Sequence, residues 1–213
     1  MENSKRLWMK LVLIVCLFSF LAAITEEPRG VLEPESANEA RLNRLQPPDK
    51  VMDAIGVKPG MRVAEIGAGR GRYVVQLAVR VGETGKVYAE DIDAGALKHL
   101  EERCRRWGLD HVEPILGEAA NPKLPEGELD LIFIISSYHH FNDPVVLLRH
   151  ARSALKPDGI LAIGEWLPKD NRNFSAPKQM EAQMKAAGYK LERMDPLLKK
   201  NNMMIYIFSL DSR

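Results

Sequence analysis

The sequence predicts a doubly wound α/β domain: a mostly parallel sheet of seven strands, with helices on both faces and an antiparallel hairpin at its C-terminal edge. Three observations carry this. Short β-rich runs alternate with helical stretches from residue 62 to residue 155. The central runs VAEI and LDLIFII are almost continuously apolar, as strands covered on both faces must be. The last two β-rich runs follow each other with no helix between them, so they pair as a hairpin.

Taken in order, Pro47 and Pro48 open a helix that runs through Ile55 and stops at Gly56. Strands are expected at Arg62–Ile66, Lys86–Glu90, Val112–Leu116, Asp130–Ile135 and Ile160–Glu165. Helices are expected near Tyr73–Val81, Ala94–Trp107 and Pro144–Leu155. Gly, Pro or Asp punctuates the junctions: Lys58-Pro59-Gly60, Gly82 with Gly85, and the turn Lys156-Pro157-Asp158-Gly159. A helix near Pro177–Ala187 ends at Gly188, and the hairpin strands lie near Tyr189–Met194 and Met203–Leu210.

Composition is that of a soluble globular chain of 213 residues, 46% hydrophobic and 28% charged, with a net charge of +1. A near-neutral balance draws nothing electrostatically toward nucleic acid, and none is expected as a partner. Cys16 and Cys104 are the two cysteines. With Cys16 in the N-terminal run, the domain holds one thiol and forms no internal disulfide.

The first 25 residues stand apart. Lys5, Arg6 and Lys10 precede LVLIVCLFSFLAAI at residues 11–24, and Glu26 and Glu27 follow. A basic start, an apolar centre and small Ala22 and Ala23 near its end form a signal-peptide layout. As a helix the run spans ~21 Å, short of a ~30 Å hydrocarbon core. With Lys10 snorkelling, residues 7–24 reach ~27 Å and serve as an uncleaved anchor. Either way residues 7–24 contact membrane, and the chain is expected to be membrane-anchored or exported. Charge bias places the N-terminus in the cytoplasm and the domain across the membrane. Three parts result: residues 1–25 for targeting, 26–47 as a linker or N-terminal cap with one short helix around Ala37–Leu45, and 48–213 as the domain.

The chemistry-bearing segment is VAEIGAGRGRYVVQL, a strand, a loop and a helix with Gly67, Gly69 and Gly71 between Ile66 and Arg72. Glycine lets backbone approach a ligand closely, and the following helix offers free N–H groups. A dinucleotide fingerprint G-x-G-x-x-G fails here, because its last glycine would fall at Arg72. Asp91 lies at the tip of the next strand, where an acid can accept both hydroxyls of a ribose, and Asp93 is placed to cap the following helix. Glu118 follows the third strand, in LGEAA, within reach of an amino group at the far end of an adenine.

These segments, with LDLIFIISSYHHF and LKPDGILAIGEW, resemble the class I S-adenosylmethionine-dependent methyltransferases in order and spacing, over about residues 48–165 and loosely through the hairpin. The compact kind, without a large inserted domain, is resembled most. The resemblance implies a Rossmann-like fold and S-adenosyl-L-methionine as methyl donor. It implies that Glu65, Gly67, Ala68, Gly69 and Gly71 hold the methionine part, Asp91 the ribose, and Glu118 with Ala119 the adenine, with Ile92 also in the donor site. Ser136, after the fourth strand, joins the donor site.

Methyl transfer is a direct displacement at a carbon activated by sulfonium, so the protein's main task is alignment, which can supply ~7–11 kcal/mol. Tyr138, His139 and His140 lie at the end of the fourth strand and are the catalytic candidates, either histidine serving as base or shaping the acceptor pocket. No metal is expected, because adjacent histidines are poorly spaced as ligands and no Cys/His cluster accompanies them. The acceptor is expected to be a small or lipid-like molecule, the lipid part resting on residues 7–24 alone. Residues 26–48, Trp166–Ser175 and the C-terminal hairpin would set its identity. A non-catalytic protein of the same fold, binding the donor as a scaffold, is the alternative.

Overall fold

The computed structural model describes residues 31–167 and 177–211. The targeting segment at residues 1–25 and most of the 166–175 loop lie outside them. Among the described residues, no helix is long and apolar enough to cross a membrane.

Seven strands form one sheet in the order β3-β2-β1-β4-β5-β7-β6. They are β1 (Arg62–Ile66), β2 (Lys86–Asp91), β3 (Val112–Leu116), β4 (Leu129–Ile135), β5 (Leu155–Trp166), β6 (Tyr189–Asp195) and β7 (Met203–Leu210). The first five run parallel, and β7 lies antiparallel between β5 and β6. Strand order reverses between β1 and β4, which opens a crevice beyond their C-terminal ends, where such sheets bind ligands.

Six helices cover the sheet: α1 (Ala37–Leu45), α2 (Pro48–Ala54), α3 (Val74–Val81), α4 (Ala94–Trp107), α5 (Pro144–Ala154) and α6 (Lys178–Ala186). Strand alternation divides the core. Val63, Leu131, Phe133 and Ile205 pack with α2, α3 and α4, whereas Ala64, Ile66, Ile132 and Tyr206 pack with α5 and α6. Local chemistry sets the helix ends. The Asp93 carboxylate accepts from the Gly95 and Ala96 N–H groups, and Gly108 ends α4 with φ +64°. Asp143 caps α5, whose first residue is Pro144.

One boundary differs from expectation. The Lys156–Gly159 segment is part of β5 rather than a free turn, because Leu155 already pairs with Leu129 and the register shifts before Leu131 meets Ile160. Gly159 is needed there for close approach, since a Cβ would lie 2.7 Å from the Leu129 carbonyl oxygen. The segment before residue 48 is docked on the domain. Leu32 exchanges backbone bonds with the Gln76 side chain at 2.9 and 3.0 Å, and Glu39 of α1 pairs with the fully buried Arg103 of α4 at 2.6 Å.

Candidate active site

The glycine loop leaves β1 and is tied at once to the end of β2: the Gly67 and Ala68 N–H groups both donate to the Glu90 carbonyl, at 2.9 and 2.8 Å. Gly67 has φ +76°, and a Cβ there would stand 2.7 Å from the Ser137 hydroxyl oxygen. Only glycine fits. Gly69 sits at the open side of the loop, where a Cβ would meet nothing within 4 Å. Its N–H donates to Asp91 Oδ2 at 2.7 Å, while Asp91 Oδ1 accepts from the Asp93 N–H at 2.9 Å. Asp91 is thus held at the mouth of the crevice, bridging loop and strand. Gly71, with φ +83°, packs against Leu100 of α4.

Beneath the loop, Glu65 is 3% exposed and its Oε2 has no hydrogen-bond partner. Burial pushes its carboxyl up to about 8; Arg72 opposes the shift, Asp91 adds to it, and the Val74 N–H opposes it. A buried carboxyl with an unfilled oxygen suits an ammonium group, which would pair with it and restore its ionised form.

Residues before α2 close this end of the site. Gln46, 1% exposed, donates from Nε2 to the Ser136 hydroxyl at 3.1 Å and lies 3.0 Å from the Met203 sulfur. Arg72 donates to the Gln46 side-chain oxygen and, at 3.3 Å, to Asn43 of α1. The Tyr73 hydroxyl donates to the Gln46 carbonyl at 2.9 Å. Ser136 itself has φ +55°, an uncommon backbone state for a non-glycine residue and a mark of a constrained strand end. Sequence reasoning did not find Gln46, which belongs to no motif and reaches the site only through tertiary docking.

Where β2 and β3 end, Ile92 and Leu116 are 63% and 52% exposed, an apolar pair at neighbouring strand ends. Glu118 points to solvent and pairs with Lys123 Nζ at 2.7 Å; the hydrogen bond from Lys123 holds its carboxyl below the usual range. Ala119 is exposed beside it. Glu90, which sequence reasoning passed over, is 2% exposed with an unpartnered Oε1, and burial pushes it up to about 8. Its carboxyl fills the place where a Gly117 side chain would be, since a Cβ there would lie 1.8 Å from Oε1.

The three catalytic candidates form a short 3-10 turn, Tyr138–His140, directly after β4. The structure separates them. Tyr138 is buried, and its hydroxyl donates to Gln183 of α6 at 2.6 Å; burial, then Glu165, pushes it up to about 12. It faces the α5–α6 layer and serves packing rather than the crevice. His139 is half exposed, and its Nδ1 lies 3.0 Å from both oxygens of Glu165, at the end of β5. His140 is exposed, its ring centre 4.0 Å from that of His139. Glu165 was missed in sequence because nothing in GEW distinguishes a partner for a residue 26 positions away.

With the geometry in place, the likenesses to known proteins are informative. Residues 63–159 match the family model of a methyltransferase domain. A nocamycin O-methyltransferase of Saccharothrix syringae is 32% identical over 115 residues, 54% of this chain and 41% of that protein. The ubiquinone/menaquinone biosynthesis C-methyltransferase UbiE of Escherichia coli is 32% identical over 116 residues, 54% of this chain and 46% of that one. A crystal structure of an S-adenosylmethionine-dependent methyltransferase from Aquifex aeolicus superposes with a TM-score of 0.69 and 28% identity, covering 83% of this chain and 98% of that one. The chain spans about half the length of these two curated relatives.

Proposed function

We propose that this protein transfers a methyl group from S-adenosylmethionine to a small-molecule acceptor. The observation that carries the reading is the crevice at the β1–β4 reversal. One glycine-lined wall opens there onto Asp91, and a buried Glu65 carboxyl waits with an unfilled oxygen. The residues fit the donor. Glu65 would take the ammonium of its methionine part, Asp91 the ribose hydroxyls, Ile92 and Leu116 the faces of the adenine, and Glu118 its amino group once released from Lys123.

When bound, the donor supplies an electrophilic methyl carbon on a sulfonium sulfur. The chain's own residues orient and enclose. The Gln46–Ser136–Arg72 cluster excludes water at the methionine end, and the 3-10 turn presents His139 and His140 where β4 ends. The O- and C-methyltransferase names of the relatives support a small-molecule acceptor. A lipid-like acceptor and membrane contact rest on residues 7–24 alone.

Titration calorimetry of the full chain with S-adenosylmethionine tests the reading. Saturable binding is expected, and no binding at millimolar donor overturns it. Mass spectrometry of the mature N-terminus, with a topology reporter fused to the C-terminus, tests membrane targeting. An intact N-terminus with the reporter in the soluble fraction would refute it.

A further inference from the structure

We infer that the acceptor is a hydroxyl compound and that His139 is the general base that takes its proton, with Glu165 as the positioning residue. This rests on the methyl-transfer reading above and adds to it the acceptor class, the base and the residue that orients it.

Glu165 is 6% exposed at the end of β5, and both its oxygens accept. Oε1 takes the Trp166 N–H at 2.7 Å, and Oε2 takes the His139 N–H at 3.3 Å. A carboxylate whose oxygens accept backbone donors presents only lone pairs to a third partner. The imidazole, with Nδ1 3.0 Å from each oxygen, therefore donates through Nδ1–H. That choice fixes the tautomer and leaves Nε2 as a free lone pair, with no hydrogen-bond partner among the described residues. The His139 side chain is 44% exposed, against 7% for Glu165, so the ring, just after the C-terminal end of β4, is open to solvent while its anchor stays covered. His140 is exposed, and among the described residues its side chain shows ring packing on His139 and no such anchor.

A neutral amine attacks through its own lone pair and sheds its proton afterwards. A hydroxyl is a poor nucleophile until its proton leaves, so a tautomer-locked imidazole serves a hydroxyl compound where it is of no use to a tertiary amine. His139 Nε2 takes the O–H proton as the acceptor oxygen's electron pair bonds to the methyl carbon. The carbon–sulfur bond breaks, and its pair stays on sulfur. The positive charge passes from sulfonium to imidazolium, which then releases its proton to water.

Two measurements on the full chain test this. Nitrogen-15 spectra of the histidine rings are expected to show the His139 proton on Nδ1, with that tautomer lost in Glu165→Gln, whose amide also offers donors. Wild-type His139 carrying its proton on Nε2 overturns the proposal. Methyl-tritiated donor is then offered to a panel of catechols, hydroxybenzoates and hydroquinones, and to a panel of tertiary amines. Transfer to hydroxyl compounds as methyl ethers, identified by mass spectrometry, is expected, falling a hundredfold or more in His139→Ala and at least tenfold in Glu165→Gln, in kcat rather than KM; methylation of ring carbon instead overturns it. Transfer to the amines alone, to neither panel, or undiminished in His139→Ala overturns it. Donor titration of wild type and both variants keeps the two readings apart. Variants that bind donor normally but transfer poorly support the base assignment, whereas a wild type that binds no donor defeats the methyltransferase reading itself.

Discussion

At the scale of single residues, the site depends on a few positions with separable roles. Asp91 holds the glycine loop through Gly69 and is the residue proposed to take the ribose. Asp91→Ala should weaken S-adenosylmethionine binding by tenfold or more, about 1.4 kcal/mol, by titration calorimetry. Asp91→Asn keeps an acceptor for the Gly69 N–H and isolates the ribose term. An affinity unchanged in both would remove Asp91 from the donor site. The glycines differ in a checkable way. An alanine at Gly67 or Gly69 pays the left-handed strain of ~1–2 kcal/mol, but only at Gly67 does it also strike the Ser137 hydroxyl. Gly67→Ala should therefore lower the urea midpoint more than Gly69→Ala, and the reverse order would contradict the packing described. The placement of Gly67, Gly69 and Asp91 was legible in sequence, because a strand-loop-helix pattern is local. Glu165 and Glu90 were not, because what matters in them is burial and a partner supplied by another strand.

At the scale of elements, alternation of period-two runs with capped helices was readable because each signal lies within a few residues of what it specifies. Asp93, Gly108 and Pro144 stand where their capping chemistry puts them. The start of β5 was not readable, since Leu155 joins the sheet through Leu129, on a different strand. The helix α1 was legible at Ala37–Leu45, but its docking was not, since it rests on partners far along the chain, a buried ion pair with α4 foremost among them. Arg103 is fully buried, and its guanidinium meets Glu39 at 2.6 Å, Glu35 at 3.7 Å and the Arg70 carbonyl at 3.5 Å. Removing the nearest partner leaves a buried charge poorly compensated, so Glu39→Ala should destabilise by ~3–5 kcal/mol in chemical denaturation. Because α1 leads into Gln46, the same change should also weaken donor binding. A loss below 1 kcal/mol would mean that the cap is not anchored there.

For the whole molecule, two carboxyls buried at the ends of adjacent strands link stability to pH in an unusual direction. Glu65 and Glu90 are each pushed by burial from 4.5 up to about 8. The folded chain therefore keeps protons on them between those values, while the unfolded chain has released them. With more protons bound in the native state, stability must fall as pH rises through this window and level off above about 8. Most acidic groups with native partners act oppositely, and their effect is spent below the window: the Glu35 carboxyl, held low by His99, Arg103 and Arg106 against its partial burial, is one such group. Urea midpoints measured from pH 5.5 to 8.5 should decline, and Glu65→Gln and Glu90→Gln should each flatten the slope. Saturating donor should act on one of the two only. An ammonium beside Glu65 favours its ionised form, so binding below about pH 8 releases a proton and affinity rises with pH toward that value. Calorimetry in buffers of different ionisation enthalpy would count that proton in wild type and find it absent in Glu65→Gln, yet still present in Glu90→Gln. Equal proton release in all three would place the ammonium elsewhere and leave Glu65 a buried strand-end carboxyl with no ligand.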